Sequence, residues 1–328
     1  MKIKENFRFF LKKAPGPWLC AAVAGVLLTG CGTQPVWQDT FYTMDTVVTL
    51  TLPASDENRT RESLEALSRE LDCFGAEGAL ADLNATGTSR DALLYEIIAQ
   101  TAVLEERFGN GVQLSSGALT RLWDITSAQP RVPEETDRLA ALSTVGDHRI
   151  RLEDGSITLP PDMQLDLGAV AKGYALDRIA AQWQDAEIAY GVLSMRSSVL
   201  LYGEKPDGNA FTVQIQNPDG KGILGTVTTP ACFLSTSGGY ERFFEADGVR
   251  YCHILDLSTG CPTETDLTSV TVFTDNGLKS DFLSTLIFLG GTGQLEAHLH
   301  AQDYKVLAVD TAGRIYCSEG LQFREAEA

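Results

Sequence analysis

The sequence is poor in positive charge. Against 44 Asp and Glu it has 26 Lys and Arg, a formal net charge of −18. So acidic a surface argues against binding nucleic acid and against docking on anionic headgroups. A chain of this kind that handled a pyrophosphate would need a metal cation or a local group of Lys and Arg. An ordered cysteine pattern is also lacking. Beyond Cys20 and Cys31, the residues Cys73, Cys232, Cys252, Cys261 and Cys317 form no CxxC pair and no ladder of spacings. Five such cysteines are neither a disulfide scaffold nor a thiolate zinc site. Cys252 and Cys261 flank a turn and are the one candidate pair, buried free thiols being the alternative. No repeat, long linker or low-complexity segment is present. The apolar stretch 18–28 is too short to span a bilayer comfortably.

What the first residues do contain is a leader. Lys2, Lys4, Arg8, Lys12 and Lys13 precede the apolar stretch, which ends in Leu28-Thr29-Gly30-Cys31. A basic segment, an apolar segment and small residues before a cysteine resemble a bacterial lipoprotein signal. The expectation is a signal peptide over 1–30, an acylated Cys31, a tether over 31–39 and one domain over 40–328. Acyl chains on Cys31 would hold the domain at the cell membrane, on its extracytoplasmic side. From Cys31 onward the chain carries 21 basic and 43 acidic residues, a net of −22.

The remainder reads as α+β. Residues 40–52 have the β-branched, alternating look of a strand. Residues 58–74 and 91–108 carry apolar side chains at helical spacing. Further helices are expected near 117–125, 133–142 and 280–289, and a hairpin over 149–159 turning at Asp154-Gly155. The second half holds short strands between Gly, Pro, Asn and Asp turns: 190–202, 211–216, 222–229, 231–235, 242–244, 250–255, 269–273, 305–309 and 314–316. Hairpin-linked strands with helices between groups of them suggest antiparallel sheets rather than a doubly wound parallel fold.

Three places carry chemistry. Residues 164–177 read QLDLGAVAKGYALD, an extended run holding Asp166, then Gly168 and Ala169, then a helix from about Ala171. A strand-to-helix turn of small residues lets a ligand approach the backbone, and helix-start amides attract anions. Lys172 could reach a phosphate there; a plain βα connection with a surface Lys is the alternative. Asp281 and Thr285 lie four apart on one helix face and offer two oxygens to a hard cation such as Mg²⁺. A first-turn acid and a Thr bonded to its own helix would give the same spacing. His253, in a strand-turn setting, could be a base of near-neutral pKa that activates a hydroxyl, or a structural His.

In order along the chain, Met44-Asp45-Thr46, Leu83-Asn84, residues 117–123, residues 164–177, Ser237-Gly238-Gly239-Tyr240-Glu241-Arg242, residues 253–262 and residues 280–285 resemble the ApbE family of FAD:protein FMN transferases. The resemblance implies a T-fold-like α+β architecture with antiparallel sheets, flanking helices and an FAD cleft between lobes. It implies Mg²⁺-dependent transfer of FMN from FAD to a Thr or Ser of an extracytoplasmic redox protein, with release of AMP. Carried onto this sequence, the backbone carbonyl of Ala169 and the side chains of Asp281 and Thr285, with Ser284 beside them, would hold the metal. Met44, Phe74, Gln113, Asp166, Lys172, Ser237, His253 and Ile254 would contact FAD. His253 would be the base and Asp281 the other catalytic residue. Alternatives are an Mg²⁺-dependent FAD pyrophosphatase and a non-catalytic flavin-binding lipoprotein. The chain departs from the family pattern at Asp45 (Gly in Met-Gly-Thr), Gln113 (Asp), Leu257 (Pro of Asp-Pro-x-Thr-Gly) and Arg196-Ser197-Ser198 (Gly-Gly-Asn). The last change adds side chains where glycines allow close approach, and Arg196 could add a phosphate contact.

Overall fold

The computed structural model describes residues 36–53 and 56–327. The expected signal peptide and Cys31 lie outside the described residues. Eight strands pair antiparallel in chain order, one meander from end to end. They are β1 (Val36–Thr43), β2 (Thr46–Pro53), β3 (Tyr190–Met195), β4 (Ser198–Gly203), β5 (Cys232–Gly238), β6 (Leu267–Thr274), β7 (Lys305–Asp310) and β8 (Ile315–Cys317). Between β2 and β3 come helices α1 (Glu57–Glu70), α2 (Ala79–Thr86), α3 (Ala92–Phe108), α4 (Gly117–Trp123), α5 (Glu135–Leu142) and α6 (Ala171–Asp185). Between β6 and β7 come α7 (Gly277–Gly290) and α8 (Thr292–Leu299).

The meander is covered on both faces. Alternate residues of β3 and β4 divide between two cores, as the period of a strand requires. Leu193, Met195 and Leu200 meet Leu176, Ile179 and Trp183 of α6 on one side. Val192, Val199 and Leu201 meet Phe211, Val213 and Val227 of a small three-stranded sheet on the other. All six residues of β3 are buried, so its sequence, apolar but for Ser194, shows no polar–apolar alternation. Each fully buried side chain of this kind contributes roughly 1.5–3 kcal/mol of transfer free energy.

Two stretches expected as single strands are hairpins. Residues 40–52 divide at Met44 (φ 49°) and Asp45 (φ 54°), and residues 190–202 divide at Arg196 (φ 61°) and Ser197. Neither turn contains glycine, so the apolar alternation runs through it unmarked. Asp tolerates a left-handed backbone better than most residues, which accounts for its place where the family pattern has Gly. The first strand also begins earlier than expected: Val36 pairs with Pro53, so residues 36–39 of the segment read as tether belong to the sheet. Helix α2 was not expected; it is an eight-residue helix of weak amphipathic pattern. All five described cysteines are free, which removes the candidate Cys252–Cys261 pair. The Cys252 thiol instead donates to the Ile254 carbonyl at 3.5 Å, with the Thr263 carbonyl farther off at 3.9 Å. Among the described residues no helix is long and apolar enough to cross a membrane.

In an antiparallel meander every second turn falls at the same end. The β1–β2 turn, the β3–β4 turn and the exit of β5 share one end, and the N-terminal halves of α6 and α7 meet them there.

Candidate functional site

Helices α6 and α7 cross at two glycines. A Cβ on Gly173 would lie 2.1 Å from the carbonyl oxygen of Gly277, and one on Gly277 would lie 2.2 Å from that of Gly173. At this approach each helix caps the other with an acid four residues past its glycine. Asp177 of α6 accepts from the backbone N–H of Gly277 (2.6 Å) and Leu278 (2.8 Å) and from the Asn276 amide (3.2 Å). Asp281 of α7 accepts from the N–H of Gly173 at 2.6 Å. Exchanged carboxylates satisfy amides that a helix start leaves without partners.

The second exchange frees an oxygen. In a regular first turn the Gly173 N–H would donate to the carbonyl of Ala169, four residues back. Taken by Asp281 Oδ2, it leaves the Ala169 carbonyl with no backbone N–H partner among the described residues. Asp281 is 5 % exposed and its other oxygen accepts from the Ser198 hydroxyl at 2.7 Å. Each carboxylate oxygen therefore keeps a lone pair.

The hydroxyls beside it have fixed directions. Ser284 Oγ donates to the Asp281 carbonyl (3.0 Å), so Ser237 must donate to Ser284 (2.9 Å) and Thr285 to Ser237 (3.1 Å). Thr285 Oγ1 is left with its lone pairs open, whereas Ser284, 1 % exposed, is turned back into the protein. The open set is one carboxylate, one carbonyl and one hydroxyl. Among the described residues no three His, Cys, Asp or Glu side chains cluster as a metal site. These three oxygens fit a hard cation of the Mg²⁺ kind, which takes its remaining ligands from water and substrate phosphate.

They open into a cleft of about 400 Å³, within the size range of small-molecule sites. His253 stands on its wall, just after the Val249–Cys252 strand. Its Nδ1 is 3.2 Å from the carbonyl of Arg242, which can only accept, so Nδ1 carries the proton and Nε2 is the basic nitrogen. Burial, then the charges of Arg242 and Lys172, push its pKa down to about 4. The near-neutral value expected from sequence is thus corrected: with the cleft free of anions the ring is a neutral base. Lys172, Arg196 and Arg242 line the same cleft, and the Arg242 guanidinium is held by the Asp45 carbonyl at 3.0 Å. The local cations that so acidic a chain needs for a pyrophosphate are present.

The segment 164–167 is pinned rather than paired in a sheet. The Asn84 side chain exchanges two hydrogen bonds with Leu165, and Asp166 N–H donates to the Leu114 carbonyl. Leu165 and Leu167 are buried, which turns Asp166 to the cleft. Met44, Phe74, Gln113, Ser237 and Ile254 line it too. The Phe74 ring is half-exposed with Arg121 over one face at 5.1 Å. Gln113 is engaged with Asn110 and the Asp147 amide. Every site residue expected from sequence within the described chain therefore borders one cavity. Sequence reasoning gave no role to Arg242 or Ser198, although both lie in segments it singled out. Cys73 also faces the cleft, but burial and then the Asp166 and Asp72 carboxylates hold its thiol protonated.

A family model described as the ApbE family matches residues 44–309. The chain belongs to the ApbE family. It is 33% identical over 237 residues to the FAD:protein FMN transferase of Treponema pallidum, covering 66% of each chain. It is 33% identical over 180 residues to one from Klebsiella pneumoniae, covering 53% of this chain and 55% of the relative. The chain thus spans about two thirds and about half the length of these curated relatives. Among solved structures, the ApbE protein of Thermotoga maritima superposes with a TM-score of 0.81 at 25% identity, over 87% of this chain and 97% of that one. The α+β fold with antiparallel sheets and flanking helices is the ApbE fold.

Proposed function

We propose that this ApbE chain transfers FMN from FAD to a Thr or Ser hydroxyl of an extracytoplasmic redox protein and releases AMP. The observation that carries the reading is one cleft lined by a neutral base, an open oxygen triad and three cations. Relatives named FAD:protein FMN transferase support it. Ala169, Asp281 and Thr285 would hold Mg²⁺, which when bound neutralises the pyrophosphate and stabilises the charge that develops as the anhydride breaks. Lys172, Arg196 and Arg242 bind and orient the phosphates, and positioning with electrostatics supplies most of the acceleration in phosphoryl transfer. Nε2 of His253 takes the proton of the acceptor hydroxyl as its oxygen attacks the FMN phosphorus. The bound pyrophosphate offsets the charges of Arg242 and Lys172, so the ring becomes a stronger base in the complex. Met44, Phe74, Gln113, Asp166, Ser237 and Ile254 form the walls for the rest of FAD. The leader and Cys31 support placement at the cell membrane through a lipid anchor, on the side where an extracytoplasmic acceptor is met.

The test is to incubate the full chain with FAD, Mg²⁺ and a Thr/Ser-bearing candidate acceptor, then weigh the acceptor. Covalent addition of FMN with an equivalent of AMP is the expected result. FMN and AMP with no labelled acceptor would mean hydrolysis, and no turnover would mean a binding protein.

A further inference from the structure

Strands β4 and β5 touch α7 through a seam of hydroxyls. Ser198 meets Asp281 (2.7 Å), Ser235 meets Ser280 (2.7 Å), and Ser237 meets Ser284 (2.9 Å) and Thr285 (3.1 Å). Ser198 and Ser235 face each other in register across the strand pair. Of these contacts one alone ends on a charged group. Ser198 has no exposed surface and Asp281 is 5 % exposed, so water cannot replace the bond between them. An ionised carboxylate only accepts, which commits the Ser198 proton to Oδ1. The opposite oxygen is held by the Gly173 amide. Two donors from different elements, one per oxygen, fix the rotation of the carboxylate about its Cβ–Cγ bond. The lone pairs left over belong to the cleft that Ala169 and Thr285 also line.

We propose that Ser198 is a positioning residue for Asp281, whose hydroxyl holds the carboxylate in the orientation that binds a hard divalent cation. This rests on the reading of Asp281 as a cation ligand. With Ser198→Ala, Oδ1 loses its donor, the carboxylate pivots on the Gly173 amide, and the site loses its preset geometry. Partners of a liganding group commonly change metal affinity ten- to a hundredfold.

The test titrates the full chain with Mn²⁺ alone, following free Mn²⁺ by electron paramagnetic resonance. Compared are the wild type, Ser198→Ala, Ser198→Thr, Ser235→Ala and Asp281→Ala, each checked for folding by circular dichroism and thermal melting. Expected are a loss of at least about tenfold in Mn²⁺ affinity for Ser198→Ala and recovery in Ser198→Thr, which keeps the donor. Ser235→Ala, which cuts the neighbouring bond of the same seam, keeps wild-type affinity. A lower melting temperature with unchanged Mn²⁺ affinity in Ser198→Ala would overturn the proposal and leave Ser198 a packing residue. So would an equal loss in Ser235→Ala. Unchanged binding in Asp281→Ala, or none in the wild type, would instead remove the reading of Asp281 on which the proposal stands.

Discussion

Asp177 and Asp281 are built alike and differ in what remains open. Each lies four residues beyond a glycine at the same helix crossing, and each accepts backbone N–H groups from the other helix. Asp177 receives three donors, two of them the first amides of α7, and does not border the cleft. Burial pushes its pKa up to about 6, the Gly277 and Leu278 amides opposing, with Asp281 and Asp275 adding to the rise. Asp281 receives one amide and one hydroxyl, and its free lone pairs border the cleft. One geometry thus gives a cap when its acceptors are filled and a ligand when they are not.

The comparison breaks most sharply at Asp281. Asp281→Ala is expected to abolish divalent-dependent turnover, a fall of about a thousandfold or more, measured as AMP released from FAD. His253→Ala should lower kcat by at least about a hundredfold, the usual weight of a general base, with FAD binding retained in a fluorescence titration. In the wild type, kcat/KM should hold from neutral pH down to about 5 and fall only as pH approaches 4, because protonation of His253 in the free protein removes the base. An acid limb centred near 6.5 would contradict the environment assigned to the ring.

Gly173→Ala attacks both acids at once. Its Cβ meets backbone rather than a movable side chain, so the helices must part, at a cost of about 1–3 kcal/mol or more in chemical denaturation. Asp177→Ala should cost about 2 kcal/mol by stranding buried amides, with Mn²⁺ affinity unchanged. The smallest effect is one of pH. The Asp177 pKa is raised from 3.8 to about 6, so its contribution is full below 3.8 and is lost as pH rises through 6. The melting-temperature difference between wild type and Asp177→Asn should therefore shrink from pH 4 to pH 7.5.

Much of the site was legible in sequence because its parts are local. The i, i+4 spacing of Asp281 and Thr285 survives into three dimensions, and the small residues at 168–169 do mark a turn into a helix. What could not be read was reciprocal. Nothing in residues 164–177 says that Asp281 will take the Gly173 amide and so open the Ala169 carbonyl. Nor does Arg196-Ser197-Ser198 announce that Ser198 ends on Asp281. In the fold, the turns at Met44-Asp45 and Arg196-Ser197 escaped because left-handed Asp and Arg replaced the glycines that usually signal them. The pKa of His253 escaped because its largest cause, burial, and then the charges of Arg242 and Lys172 are set by the tertiary packing.

The most direct measurement pairs Asp281→Asn with Asp177→Asn, in full chains, at a temperature where both remain folded. FMN transferred from FAD to an acceptor hydroxyl is counted by mass spectrometry across an Mg²⁺ series. Wild-type labelling and Mg²⁺ dependence are expected for Asp177→Asn, and no labelling at any Mg²⁺ concentration for Asp281→Asn. Labelling that survives in Asp281→Asn, or that is lost equally in both variants, would contradict it.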